Sequence, residues 1–231
     1  MKIRYLLLLL VPFLVSLDLP ENLLKELKEI KESFNYEVAT MNLKYNVYKQ
    51  SDGKLLESKT AYYECSANNY LYELDNIKMI QNTEWNVYID SKDKIVIVKE
   101  ATINTGEEFM KFDVAINGIE SVSKKEINGL FSYSLKFKDP VSKIYSQMQV
   151  YTSKSLQPKK IVMDYAYETE HVKSNGDVIN DKLRFEILYK SIKKVSKSSF
   201  KTSHILEKES EDFKLIGDYS NYKLFDLRLH K

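Results

Sequence analysis

Cysteine, glycine and proline are scarce in this chain of 231 residues, which contains one cysteine, six glycines and four prolines. A single cysteine excludes an intramolecular disulfide, so an ordinary hydrophobic core must stabilise the fold. The chain also lacks a glycine-rich phosphate loop and a Gly-X-Ser-X-Gly nucleophile motif. The formal net charge is only +2. This excludes the concentrated basic excess that nucleic-acid-binding proteins carry, and we expect no nucleic-acid partner.

Long apolar runs are absent except at the N-terminus. Lys2 and Arg4 precede an almost uninterrupted apolar run from residue 5 to 15, which is the pattern of a secretory signal peptide. The run is shorter than the roughly 20 residues that a membrane-spanning helix needs. We predict a signal peptide over residues 1–17 that is cleaved near residue 17, and no stable membrane insertion after its removal.

Two further absences concern the exported form. The sole cysteine, Cys65, lies far from the apolar run, so no residue is placed for the N-terminal acylation of a bacterial lipoprotein. No Asn-X-Ser/Thr glycosylation site occurs. We therefore expect a periplasmic protein, with residues 18–231 forming a single domain.

Aromatic residues are abundant, with 17 tyrosines and 10 phenylalanines, and such residues favour strands. One helix is expected first, over Asp18–Phe34, because Leu23, Leu24, Leu27, Ile30 and Phe34 follow a helical period. The period then changes to two. Strands are predicted at 41–48, 55–67, 70–74, 77–81, 85–90, 94–100, 130–138, 142–151, 161–171 and 183–193, with one or two more in 213–229.

The turns between these segments are short, which predicts an antiparallel meander. Asp52-Gly53 and Ser174-Asn175-Gly176-Asp177 are hairpin signals. Residues 101–128 are more polar and predict a loop with a short helix, and residues 196–211 an irregular or helical piece. The expected fold is mainly β (α+β): one strongly curved antiparallel sheet of about 10–11 strands, an unclosed barrel covered by the N-terminal helix and short helices.

This order of elements resembles the LolA/LolB-type lipoprotein-carrier superfamily. It combines a signal peptide, an amphipathic helix, two long strands joined by Asp52-Gly53-Lys54, and short strands at 85–90 and 94–98. The order of elements in 35–99 and the closing segment 218–226 resemble exported proteins common in Bacteroidetes. The resemblance implies an unclosed barrel whose apolar concave face holds lipoprotein acyl chains or another lipid.

No family binding residue can be transferred one by one, so cavity candidates come from the alternation alone. The candidate ligand-binding side chains are apolar or aromatic and are expected to face inward. They are Leu24, Leu27, Ile30, Leu43, Tyr45, Val47, Tyr63, Trp85, Val87, Ile89, Phe131, Tyr133, Leu135 and Phe137. For any one of them taken singly, ordinary core packing is the more frequent role, and the ligand-binding interpretation depends on the whole set.

Catalytic and metal-binding interpretations find little support. His171 lies near Glu168 and Glu170, but three such residues on one strand predict an exposed strand end rather than a metal site. Cys65 has no histidine near it in sequence and is expected to be structural. Glu107, Glu108 and Asp113 could form an acid–base pair, yet carboxylates are common in polar loops. We expect no enzyme activity, no cofactor and no metal.

Two functions remain open. A third, less favoured one is an enzyme whose catalytic residues lie far apart in sequence and come together only in the folded protein. The first is a periplasmic carrier or binding protein for a lipid or lipoprotein acyl chain. The second is an envelope interaction module that binds a protein partner through a groove or a sheet edge. A deep apolar cavity would favour the first and an exposed strand edge the second.

Overall fold

The computed structural model describes residues 20–32, 38–66, 69–101, 118–138, 144–172, 176–195, 202–209 and 212–228. Within these ranges it has one α-helix, α1, at Glu21–Glu32. The strands are β1 Val38–Lys49, β2 Leu55–Ser66, β3 Asn69–Leu74, β4 Ile77–Gln81, β5 Trp85–Asp90, β6 Ile95–Glu100, β7 Ile119–Ile127, β8 Leu130–Phe137, β9 Tyr145–Thr152, β10 Pro158–Val172, β11 Val178–Lys194, β12 Leu206–Glu209, β13 Asp212–Leu215 and β14 Lys223–Asp226.

Helix α1 forms where the apolar period predicts it. The carbonyl of Pro20 accepts the first hydrogen bonds, from the amides of Leu23 and Leu24 at 2.9 and 3.1 Å, and Glu21 lies in the first turn, where a negative charge is favourable. The predicted ends at Asp18 and Phe34, like the predicted signal peptide 1–17, lie outside the described residues.

Twelve strands form one sheet in the order β14-β6-β5-β4-β3-β2-β1-β11-β10-β9-β8-β7. Two meanders, β1–β6 and β7–β11, are joined side by side because β1 pairs with both β2 and β11. The order begins at β14 and ends at β7, so the curved sheet does not close. The predicted fold class, a mainly β unclosed barrel with an N-terminal helix, is confirmed.

Two turns have the backbone that their residues favour. At the β1–β2 turn Gly53 has a φ of 69°, and the side chain of Asp52 accepts a hydrogen bond from the amide of Lys54 at 2.9 Å. Asn128 and Gly129 join β7 to β8 with φ values of 51° and 76°. Two consecutive residues at positive φ characterise the type I′ hairpin that Asn-Gly favours.

The register assigns every strand residue to one of two faces, because directly paired residues point to the same side. Met41 pairs with Tyr63, Tyr63 with Tyr72, Tyr72 with Met79, and Met79 with Tyr88. This row lies on the face that α1 covers, which we call the helix face. The other side is the hairpin face, because the two-stranded hairpin β12–β13 packs on it.

Each face has its own hydrophobic core. The helix-face core combines Leu27 and Ile30 of α1 with buried residues of the long strands, among them Met41, Tyr133 and Val150. The hairpin-face core is made of Leu71, Ile80, Val87, Ile89, Val96 and Val98, with Ile205, Leu206 and Leu215 packed over them. The sheet is therefore covered on opposite faces by different elements.

Three expectations need correction. Residues 119–127 are strand β7, not a loop with a short helix; residues 102–117 of that prediction lie outside the described part. β7 is the last strand in the sheet order and has several exposed residues, so it shows little apolar alternation. In 196–211, the described residues form a 3₁₀ turn at Thr202–His204 and strand β12. β14 pairs with β6 in parallel, whereas the sequence predicted only antiparallel pairs.

Candidate functional site

The helix face is the candidate site, and α1 covers only part of it. Leu27 and Ile30 are fully buried against the sheet, as are Tyr133 and Leu135 of β8. The side chain of Glu26 fastens the helix, since its Oε2 accepts hydrogen bonds from Lys124 Nζ at 2.7 Å and from the Tyr133 hydroxyl.

The electrostatics of this anchor favour the charged carboxylate. Burial raises the pKa of Glu26, but the hydrogen bonds from Lys124 and Tyr133 and the Lys124 charge outweigh it, so the pKa lies below its usual value. Lys124 also lies over the Phe131 ring, 3.8 Å from its centroid. The anchor ties α1 to β7 and β8, at one side of the helix face.

Beyond the helix lies a group of five aromatic side chains, the tyrosine cluster. Tyr63 stacks on Tyr70 with ring centroids 6.2 Å apart, and the hydroxyls of Tyr45 and Tyr72 are hydrogen-bonded to each other. Tyr189 completes the cluster through its pairing with Leu43 next to Tyr45. Four of the five are buried, whereas Tyr45 is only half-buried.

Burial is the main reason that these phenols are held neutral. It raises the pKa of Tyr45, Tyr63, Tyr72 and Tyr189, and for Tyr45 the neighbouring phenols add to the effect. The cluster therefore presents ring surface and neutral hydroxyls at physiological pH, which suits an apolar ligand with polar ends.

Charged side chains border the cluster at one end of the same face. Lys59 pairs with Tyr45 across β1 and β2, and its Nζ lies 3.0 Å from Glu57 Oε1 and 3.3 Å from Asp75 Oδ2. Nε2 of His171 lies 3.7 Å from the other oxygen of Glu57. The arrangement is an apolar floor with a polar edge.

Eleven of the fourteen candidate residues belong to α1 or the helix face. Nine lie in or directly against the helix-face core: Leu27, Ile30, Leu43, Tyr45, Tyr63, Phe131, Tyr133, Leu135 and Phe137. Leu24 on the helix and Val47 on β1 are half-buried. Ligand contact by these residues stays a prediction.

The other three candidates lie on the opposite side of the sheet, which corrects their grouping with the first eleven. In β5 the helix face is formed by Asn86 and Tyr88, which pair with Gln81 and Met79. Trp85, Val87 and Ile89 therefore point to the hairpin face, because adjacent strand residues alternate. They belong to the hairpin-face core.

The sequence missed three members of the tyrosine cluster, Tyr70, Tyr72 and Tyr189. The available signal was the register. Asn69 pairs with Ser66 across a two-residue connection, and counting back along both strands from that turn places Tyr72 opposite Tyr63. For Tyr189 no local signal existed, since the β1–β11 pairing joins segments far apart in sequence.

The residues considered for catalysis are not brought together. His171 contacts Glu57 of β2, while Glu168 and Glu170 are exposed. Burial raises the pKa of the half-buried Cys65 thiol. Glu107, Glu108 and Asp113 lie outside the described residues, and within the described ranges no three His, Cys, Asp or Glu side chains are grouped as metal ligands would be.

Among the described residues, no helix combines the length and the apolar character that crossing a bilayer requires.

No protein-family model and no curated protein matches the chain. Solved structures do match. An uncharacterized conserved protein from Thermus thermophilus aligns with a TM-score of 0.43 and 7% identity, over 89% of this chain and 99% of the other.

Two further matches are described in terms of lipoprotein sorting or the LolA superfamily. A putative outer membrane lipoprotein-sorting protein domain from Vibrio parahaemolyticus aligns with a TM-score of 0.37 and 10% identity, over 78% of this chain and 94% of the other. A LolA superfamily protein from Nitrosomonas europaea aligns with a TM-score of 0.31 and 10% identity, over 77% and 94%.

Proposed function

We propose that the protein is a non-enzymatic periplasmic carrier or binding protein that holds a hydrophobic ligand, a lipid or lipoprotein acyl chain, on the helix face. The observation that carries the proposal is the unequal burial of the two faces. On β4, β5 and β6 the hairpin-face side chains Ile80, Val87 and Val96 are buried, whereas Met79 and Tyr88 on the helix face are only half-buried.

The half-buried apolar surface extends to β1 and β11. Tyr45 and Val47 pair with Ile187 and Phe185, and all four side chains are half-buried. Tyr45 and Phe185 are in ring contact, with centroids 5.7 Å apart. An acyl chain on this surface would bury apolar area that the protein itself leaves partly exposed.

The binding energy that such a chain can supply is sufficient without covalent chemistry. Each buried methylene contributes about 0.8 kcal/mol, so a ten-carbon segment offers about 8 kcal/mol before the cost of ordering it. The polar edge of Lys59, Glu57 and His171 would then face the polar end of the ligand.

A matched pair of tyrosines on one strand tests the ligand surface. Tyr45 and Tyr48 are both half-buried on β1, but Tyr48 points to the hairpin-face side, where its hydroxyl lies 3.4 Å from Glu186. We expect Tyr45→Ala to weaken the binding of a fluorescent fatty-acid analogue at least about tenfold, equivalent to about 1.4 kcal/mol, and Tyr48→Ala to leave it within about twofold. Equal effects of both variants, or no binding by the unaltered protein, would refute the proposal.

The alternative, an envelope interaction module, is favoured by one observation on β7. This strand ends the described sheet order, and its last three residues, Lys125, Glu126 and Ile127, are exposed. An extended peptide could add to such an edge through backbone hydrogen bonds. Ile127 pairs with Leu130 across the two-residue turn, so the N–H of Glu126 points away from β8 to the open edge. Replacing Glu126 by Pro would block that addition but not lipid binding. A variant that loses a cross-linked envelope partner while it keeps lipid binding would therefore favour the alternative.

A further inference from the structure

Exposed apolar side chains are concentrated at one end of the sheet. We call this the turn end, because the β1–β2 turn at residues 50–54 lies there. Among the described residues seven large apolar side chains are exposed, and five of them belong to the turn end: Leu55 at 48%, Ile144 at 44%, Tyr167 at 47%, Val172 at 57% and Val178 at 55%. The remaining two, Ile127 and Leu227, lie at the opposite end by strand direction.

The five residues follow the order of neighbouring strands. Leu55 begins β2, Val178 begins β11, Tyr167 and Val172 lie in β10, and Ile144 precedes β9. From β2 to β9 the sheet has five consecutive strands, about 4.8 Å apart, so the apolar rim extends over roughly 19 Å.

The most exposed pair is at the tip of the β10–β11 hairpin. Val172 and Val178 pair directly with each other, beyond an irregularity between Asp164 and Glu168. Gln50 of the β1–β2 turn fixes this irregularity, because its Nε2 donates hydrogen bonds to the carbonyls of Tyr165 and Leu183 at 3.0 and 2.8 Å.

Three contacts fasten the hairpin end beside β1 and β2. Asp181 accepts a hydrogen bond from Ser51 at 2.7 Å and forms an ion pair with Lys49 at 3.3 Å. His171 of β10 reaches Glu57 of β2 at 3.7 Å, although β1 and β11 lie between these two strands in the sheet. The segment that carries the exposed valines is thus fixed to β1 and β2, and it lies next to the polar edge of the helix face.

Tyrosines form a collar behind the apolar tip. The Tyr145 and Tyr165 rings lie 5.3 Å apart, and those of Tyr165 and Tyr167 lie 5.9 Å apart. Tyrosine is enriched at the border of a bilayer, where its ring contacts the acyl region and its hydroxyl the headgroups. Separate apolar tips with a tyrosine collar suit insertion between lipids better than contact with a rigid partner, which needs a continuous complementary surface.

The charge of this end selects the kind of lipid. The segment 168–182 contains four acidic residues and two lysines, and Glu168, Glu170 and Asp177 are exposed. The β1–β2 side of the same end, residues 49–59, contains three lysines and two acidic residues, which makes six acidic residues against five lysines for both segments. The turn end therefore has no basic excess that would attract anionic headgroups, and a zwitterionic surface suits its nearly neutral charge.

We propose that the turn end docks on a bilayer surface of zwitterionic phospholipid, with Val172 and Val178 entering the headgroup region and the tyrosine collar at its border. This docking goes beyond the proposed carrier function and does not depend on it. A carrier with such a surface would exchange its ligand at a membrane.

Vesicle flotation tests the proposal. The protein is purified as cells export it, without detergent, and mixed with vesicles of phosphatidylcholine and phosphatidylethanolamine. We expect the double variant V172N/V178N to lose at least about tenfold in partitioning. The matched variants Ile127→Asn and Leu227→Asn, exposed at the opposite end, should bind like the unaltered protein. Circular dichroism and thermal midpoints check that all four proteins are folded.

The possible outcomes all bear on the proposal. No flotation of the unaltered protein, or an equal loss in the opposite-end variants, would overturn it. Adding phosphatidylglycerol should not strengthen binding, and stronger binding would overturn the choice of zwitterionic lipid. V172N/V178N should still bind the fluorescent fatty-acid analogue in solution, so failure of docking and failure of the carrier function are separable. If this variant lost both vesicle binding and fatty-acid binding, that result would contradict independent docking.

Discussion

The anchor between α1 and the sheet permits a quantitative prediction. The carboxylate of Glu26 accepts hydrogen bonds from Lys124 and from the hydroxyl of Tyr133. Tyr133→Phe removes one donor while keeping the buried ring, and Glu26→Gln removes the charge that both donors stabilise. A hydrogen bond to a charged group contributes roughly 1.5–3 kcal/mol when buried. The Glu26 and Lys124 side chains are 26% and 24% exposed, which reduces the expected value to about 1 kcal/mol for each variant.

A double-mutant cycle isolates the interaction between Glu26 and Tyr133. Urea unfolding at neutral pH gives the free energy of unfolding of the unaltered protein, the two single variants and the double variant. We expect a coupling energy of about 1 kcal/mol and unchanged m-values. Additive effects, with coupling below about 0.3 kcal/mol, would mean that the anchor contributes nothing measurable.

The same anchor predicts a dependence on pH. The pKa of Glu26 is lowered from its ordinary value of 4.5 in the folded protein. Its contribution is therefore fully present above the unfolded pKa and is lost as the pH falls through the lower folded value. The difference in stability between the unaltered protein and Glu26→Gln should shrink as the pH is lowered below about 4.5. Hydrogen exchange of the α1 amides would report the same loosening locally, and a constant difference down to acid unfolding would refute the account.

Three other measurements test the remaining structure. Absorbance at alkaline pH should show Tyr62 ionising with a pKa of about 12. Because buried tyrosines have raised pKa values, their contribution to stability is lost above about pH 10. Ionisation of the tyrosine cluster should therefore coincide with unfolding rather than precede it. Val87→Ala should lower the free energy of unfolding by about 2 kcal/mol, because it leaves a cavity in the hairpin-face core, and it should leave fatty-acid binding unchanged. Weakened fatty-acid binding in this variant would contradict the assignment of faces. Arg228→Ala removes the guanidinium 4.1 Å from the Phe213 ring centroid and should lower the thermal midpoint by several degrees, whereas an unchanged midpoint would show that the C-terminal contact does not stabilise the β12–β13 hairpin.

Local pattern in the sequence predicted most of the elements. β4 and β5 have the bounds that alternation and turn residues indicate, Ile77–Gln81 and Trp85–Asp90. β10 begins at Pro158 rather than after it, since proline is tolerated at the first residue of a strand, where its missing N–H costs little. Strand existence is a local property, and the sequence contains it.

The assignment of faces failed where it depended on distant residues. Trp85, Val87 and Ile89 are the more apolar side of β5, and an apolar side predicts a buried face. The apolar side of β5 is indeed buried, but the elements that cover it are β12 and β13, more than 100 residues further along the chain. Nothing near β5 distinguishes a face buried by α1 from a face buried by that hairpin.

Parity could have resolved part of this ambiguity. A tight connection joins β3 to β4, with Leu74 paired to Ile77, and the connection from β4 to β5 places Gln81 opposite Asn86. Because paired residues point to the same face, following these pairs from Tyr63 assigns Tyr88, and not Val87, to the helix face. The parallel addition of β14 to β6 has no such local signal, because it depends on the path of the whole C-terminal segment.

Native mass spectrometry of the protein tests most directly whether the helix face holds an apolar ligand. The protein is purified without detergent, its mass is measured under native conditions, and bound species are extracted and identified. We expect a stoichiometric acyl-containing lipid, or uptake of added lipid by protein that is purified without one, and we expect the Tyr45→Ala variant to be deficient in both. A protein that carries no lipid and takes up none would contradict the claim and would mean that the aromatic strands are packed core alone.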